Sequence, residues 1–134
     1  MPGNFFDTNV LVYLVSADLL KADRAGALVR GGGVIGVQVL NELANVARRK
    51  MHLSWSDTHH FLATIRALLP VRPMTPETHI LGMTLAERYG LSVYDSLIVA
   101  AALEADCTTL WSEDMQHGMV LNGSLHIANP FHAS

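Results

Sequence analysis

The stretch "NFFDTNVLVYLV", residues 4–15, decides how this chain is read. Asn4, Phe5 and Phe6 suit a short strand, Asp7 interrupts it, and a helix is expected from near Asn9. Asp7 stands between two phenylalanines and a run of Val, Leu and Tyr that otherwise reads as interior. An unpaired buried carboxylate is costly, so Asp7 is either a turn or cap device or one member of a charged site. Either way it lies where a first strand gives way to a helix.

Working outward, the same alternation continues. A helix is expected over 19–29, closed by "GGG" at 31–33, and "VIGV" at 34–37 reads as a buried strand of mostly β-branched residues. "QVLNELANVARRK", residues 38–50, is an amphipathic helix. At 100° per residue, Gln38, Asn41, Glu42, Asn45, Arg48 and Arg49 share one face, opposite Val39, Leu40, Leu43, Val46 and Ala47. Ser54 with Asp57 three positions on opens a helix to about Leu69, where Pro70 stops it. Thr75 and Pro76 open another that Gly90 closes. "VYDSLIVAAALEA" is a helix, "CTTLW" a strand, and Asn122-Gly123 a hairpin turn before "LHIA". Alternating strands and helices predict an α/β domain with a mainly parallel central sheet flanked by helices, a single domain over 1–134.

Composition bounds the rest. The 134 residues are half hydrophobic, enough to bury roughly two thirds of the unfolded surface in one core. The single cysteine, Cys107, leaves no intrachain disulfide framework and suits a reducing compartment, so a cytoplasmic location is expected. The N-terminus lacks a secretory pattern, and "LIVAAAL" is too short to cross a bilayer; no membrane association is expected. The net charge of −3 argues against a nucleic-acid partner only at first sight. With four acids gathered in a metal site, nine basic residues face eight acidic ones.

In open parallel α/β sheets, ligands bind beyond the carboxyl ends of the strands. Asp7 follows the first strand, Asp114 follows "TTLW", and Glu42 lies in the early turns of the helix after "VIGV". Asp95 opens a helix that is apolar around its circumference, so its carboxylate points into a partly enclosed space. Each has an ordinary reading as well. Asp7 and Asp95 suit helix caps, Asp95 standing three residues after Ser92, and Asp114 suits a polar turn. Glu42 has no cation at helical spacing; its neighbours are Gln38, Val39, Asn45 and Val46. Four acids at the ends of core elements form the kind of hard oxygen cluster that Mg²⁺ or Mn²⁺ takes, and one that is costly without metal.

Other motifs carry less. "GGG" precedes a strand and lacks a following Lys-Ser or Lys-Thr, so it is not a phosphate loop. The seven histidines lack zinc spacing, and His117 reads as a surface turn residue. Cys107 reads as core, and Asn122 as a turn residue although "NGS" fits a glycosylation sequon. Arg24, Arg48, Arg49 and Lys50 are candidates for phosphate contacts, but "ARRK" at a helix end reads first as dipole compensation and solubility.

The four segments "FFDTNVLVY", "VQVLNELANVARRK", "YDSLIVAAALEADC" and "LWSEDMQHG", in this order, closely resemble the PIN domain and, within it, the small VapC-type ribonuclease toxins. The resemblance implies that Asp7, Glu42, Asp95 and Asp114 hold Mg²⁺ or Mn²⁺, with Thr8, Asn9 and Ser112 in support. It implies hydrolysis of RNA to 5′-phosphate and 3′-hydroxyl ends, a VapB-like antitoxin as partner, and a homodimer. Glu113 beside Asp114 leaves open which of the two faces the metal. Two rival functions stand beside it. One is a haloacid-dehalogenase-like phosphohydrolase, which needs an Asp where this chain has Asn9. The other is a non-catalytic interaction module whose acids are caps.

Overall fold

The computed structural model describes residues 3–132; the outermost two residues at each end of the expected 1–134 domain lie outside it. Strand β1 (Asn4–Phe6) leads into α1 (Thr8–Val12), a 3₁₀ turn (Tyr13–Val15) and α2 (Leu19–Arg30). Then come β2 (Ile35–Gly36), α3 (Val37–Arg49), α4 (Trp55–Leu68), β3 (Val71–Arg72), α5 (Pro76–Tyr89) and α6 (Val93–Glu104). The described chain ends in β4 (Thr109–Trp111), β5 (Val120–Leu121) and β6 (Leu125–Ala128).

The main sheet has the order β1-β4-β6-β5, parallel except for β5, which runs antiparallel to β6. Phe6 pairs with Trp111, so β1 and β4 end side by side and the residues that follow them emerge together. On the other edge of β1, Val34 bridges Phe5, and β2 pairs in parallel with β3. Gly33 makes that approach feasible: a Cβ there would stand 2.5 Å from the Phe6 ring and 2.8 Å from the Asn4 carbonyl. This is the predicted α/β architecture with a mainly parallel sheet. No helix among the described residues is long and apolar enough to cross a membrane.

Local signals placed the helices well. Ser54 accepts from the Asp57 N–H, and Thr75 and Thr78 form a reciprocal capping box behind Pro76. Gly90 closes α5 in the left-handed region, at φ 69°. Asn122 and Gly123 also adopt positive φ, in the turn between β5 and β6. Two strands are shorter than expected: "VIGV" contributes only Ile35–Gly36, because Val37 already belongs to α3, and "CTTLW" only Thr109–Trp111. β3 was not foreseen in the sequence.

The core gathers Phe5, Phe6, Leu43, Ile98, Leu110 and Ile127, all essentially inaccessible. Residues 96–102 of α6 are buried without a break, as its apolar circumference requires. α5 packs closely on it at Gly82, where a Cβ would stand 2.9 Å from Leu97 Cδ2. Burial of α6 fixes the position of its first turn, and with it Asp95.

Candidate functional site

Asp7 leaves β1 with its N–H bonded to the Trp111 carbonyl at 2.9 Å, which pins the end of β1 against β4. Its side chain is buried, and the cap role raised by the sequence is met. Oδ1 accepts from the Thr8 N–H at 2.7 Å, capping α1; Oδ2 accepts from Ser112 Oγ at 2.7 Å and from Asn9 Nδ2 at 3.4 Å. Ser112 itself is positioned by accepting the Met115 N–H.

Asn9 ties the two strand ends together. Its Nδ2 also donates to Asp114 Oδ2 at 3.1 Å, while its Oδ1 accepts the Glu113 N–H. Glu42 joins from α3: Oε1 accepts from Thr8 Oγ1 at 2.7 Å and Oε2 from Gln38 Nε2 at 3.1 Å. Thr8, Asn9, Glu42 and Asp114 line a cavity of about 540 Å³ that extends along α3 to Asn45 and Lys50.

Asp95 reaches the group through its field. Ser92 caps α6 by accepting the Asp95 N–H, leaving the half-buried carboxylate at the first turn. Burial raises its pKa, the Ser92 hydroxyl opposes this, and the charges of Glu42 and Asp114 add to the rise. Asp7 is perturbed more strongly. Burial pushes its carboxyl up from 3.8 to about 6 against the bonds from Ser112 and Thr8, with Glu42 and Asp95 contributing further. Acids from four separate elements thus share one electrostatic neighbourhood.

Glu113 and Asp114 both line the cavity but differ in their partners. Glu113 Oε1 accepts from the Tyr13 hydroxyl at 2.9 Å, and Oε2 pairs with Lys21 Nζ at 3.2 Å. Lys21 in turn donates to Tyr13 and lies 4.9 Å from the centre of the Phe131 ring, closing a cluster that engages both Glu113 oxygens. Tyr13 and Lys21 carry no motif in the sequence; their partnership with Glu113 exists only in the fold.

Several quieter readings are also met. His117 is an exposed turn residue that accepts the Asn129 N–H and stacks on His132, and Cys107 is buried, its thiol pKa raised by that burial. Arg24 is engaged with the Pro130 carbonyl and Arg48 with the Leu53 carbonyl. Lys50, read from the sequence first as dipole compensation, lines the cavity.

The cavity gathers carboxylate, hydroxyl and amide oxygens, with the Lys50 ammonium beside them, and such oxygens suit a hard cation. Among the described residues, no three His, Cys, Asp or Glu side chains converge tightly enough to hold an ion by themselves. Mg²⁺ keeps several of its waters and takes one or two carboxylates directly, so the donor set fits a hydrated ion.

Comparisons with known proteins bear on the same reading. No curated protein matches the sequence. Among solved structures, the fold is similar to a toxin-antitoxin complex from Klebsiella pneumoniae, with a TM-score of 0.74 at 17% identity over 98% of this chain and 100% of that one. It is also similar to VapBC2 from Rickettsia felis bound to a promoter DNA fragment (TM-score 0.68, 19% identity, 94% and 97% of the two chains). A third is VapC20 from Mycobacterium tuberculosis, described as a Sarcin-Ricin loop cleaving toxin (TM-score 0.68, 17% identity, 84% and 92%). The family model of the PIN domain matches residues 5–118, which include all four acids, and the chain belongs to the PIN domain family.

Proposed function

We propose that this protein is a VapC-type endoribonuclease toxin that uses Mg²⁺ or Mn²⁺ and is restrained by a cognate VapB-like antitoxin. The observation that carries the proposal is Asp7: a buried carboxylate, its pKa raised to about 6, hydrogen-bonded to residues beside Asp114 and facing the charges of Glu42 and Asp95. Perturbed carboxylates of this kind concentrate where a cation or a reaction uses them.

Asp7, Glu42, Asp95 and Asp114 would hold the ion. When bound, it supplies Lewis-acid chemistry, acidifying a water and neutralising charge on the phosphoryl oxygens and the leaving group. The protein's part is positional. Ser112 and Asn9 orient Asp7, Asn9 couples it to Asp114, Thr8 and Gln38 hold the two Glu42 oxygens, and the Lys21–Tyr13 pair keeps Glu113 aside. Hydrolysis would leave 5′-phosphate and 3′-hydroxyl ends.

An antitoxin and a second copy of the chain are the partners this reading carries, in a cytoplasmic setting. Leu19 and Leu20, exposed by 73% and 84%, and Ile80 and Tyr94, exposed by 64% and 63%, provide apolar surface for such contacts.

The test is incubation of antitoxin-free protein with structured and single-stranded RNA, with and without Mg²⁺ or Mn²⁺, beside Asp7→Asn, followed by mapping of the ends. Divalent-dependent cleavage that vanishes in the variant and leaves 5′-phosphates is the expected result. Wild type and variant equally inert, with no divalent ion raising the melting temperature, would overturn the reading and favour an interaction module.

A further inference from the structure

We propose that the corner between α3 and α4 is a subsite for single-stranded RNA, where the Trp55 indole stacks on an unpaired nucleobase and Arg49 and Lys50 hold the adjoining phosphates. The proposal rests on the nuclease reading and extends it to how the substrate is held. Asn45 lies three residues beyond Glu42 on α3, on the same side of the helix. It lines both the acidic cavity and a second cavity of about 350 Å³, whose walls include Asn41, Arg48, Arg49 and Trp55. Lys50 lines the acidic cavity as well, so a track of amides and cations leads from the acids to the indole.

Trp55 offers exposed ring surface beside Arg48 and the tilted His59 ring, whose centre lies 5.8 Å away. It is the first residue of α4, held there by the Ser54 cap, and 59% of it is exposed, whereas tryptophan is highly buried on average. The Arg48 guanidinium lies 4.4 Å from the ring centre and is anchored on the Leu53 carbonyl, which supports the indole in one pose. Every base offers a π-face to such a platform once it is unpaired, and a base within a duplex does not.

The charges favour the same occupant. The acidic cavity is lined by Glu42, Glu113 and Asp114 against Lys50 alone, so a phosphate chain needs cations at the rim to approach it. Arg48, Arg49 and Lys50 follow one another in a stretch that has no carboxylate between Glu42 and Asp57. Among the described residues, neither Arg49 nor Lys50 is in a salt bridge. Beside Trp55 and Ala44, the second cavity is walled by Asn41, Asn45, Arg48 and Arg49, whose amide and guanidinium groups can meet phosphate and base edges at an otherwise largely apolar surface.

The experiment uses the full chain carrying Asp7→Asn, to suppress cleavage, and a fluorescein-labelled mixed-sequence 12-nucleotide RNA, single-stranded or annealed to its complement. Trp55→Ala is expected to weaken single-strand binding roughly tenfold and Trp55→Phe much less, with melting temperatures unchanged. Arg49→Gln and Lys50→Gln should each reduce the slope of log K against log salt by about 0.7. On an RNA that the wild-type chain cuts, Trp55→Ala should raise KM and leave kcat at saturation unchanged. Single-strand binding unaltered by Trp55→Ala, or no RNA binding by any variant, overturns the subsite. So does a Trp55→Ala defect confined to a complex with a protein partner. Divalent-dependent cleavage with Trp55-independent KM refutes the subsite alone, and Trp55-dependent binding without any cleavage refutes the nuclease reading alone.

Discussion

Replacing Asp7 by asparagine should make the metal-free protein more stable. Asp7 is protonated below about 3.8 when unfolded and holds its proton to about 6 when folded, because burial disfavours the charge. Between these values the unfolded state binds fewer protons, so stability is lost as pH rises through the interval and the full cost is present above about 6. That interval corresponds to roughly 3 kcal/mol. The Asp7→Asn substitution removes the charge and keeps an oxygen for the Thr8 N–H, but Ser112 Oγ and Asn9 Nδ2 then face an NH₂ group, which takes back about 1 kcal/mol. The net gain of about 2 kcal/mol should raise the melting temperature by roughly 5–8 °C at pH 7.5 in EDTA, whereas near pH 3.5, where the charge cost is gone and the hydrogen-bond loss remains, the variant should melt roughly 3 °C below wild type. Mg²⁺ should narrow the difference by stabilising the wild type selectively. Thermal melts across pH, with and without Mg²⁺, read this directly. An Asp7→Asn protein that melts below wild type at pH 7.5 in EDTA would show that Asp7 acts chiefly as a cap, and the reasoning would fail.

The remaining predictions test separate parts of the structure. Asp114→Asn should lower the rate of divalent-dependent RNA cleavage by at least about 10²-fold, whereas Glu113→Gln should lower it less than tenfold, since both Glu113 oxygens are engaged by Tyr13 and Lys21; equal losses would return Glu113 to the site. The Thr58 hydroxyl is buried without a hydrogen-bond partner among the described residues, so Thr58→Val should stabilise the fold by about 1 kcal/mol in denaturant titration, and a loss would reveal a partner. Gly33→Ala should destabilise by about 1–3 kcal/mol, because the added methyl meets the Phe6 ring and the Asn4 carbonyl; an unchanged unfolding midpoint would show that the bridge to β1 gives way freely.

What the sequence determined by itself was local. Ser54, Thr75-Pro76 and Gly90 marked helix ends because a cap satisfies backbone groups within a few residues, and "QVLNELANVARRK" announced its two faces because a helix repeats every 3.6 residues. The acids Asp7, Glu42, Asp95 and Asp114 stood out as carboxylates at the ends of apolar elements. β3 escaped notice because two residues between Pro70 and Pro73 become a strand only through pairing with Ile35 and Gly36. Glu113 and Asp114, adjacent in the chain, were separated by Lys21 and Tyr13, 92 and 100 residues away. Trp55 drew no notice in the sequence; packing leaves its ring exposed beside Arg48. Caps and periodicity act across a few residues and can be read in order, whereas the direction a carboxylate or an indole faces is set by contacts between distant segments, and only the folded chain brings those together.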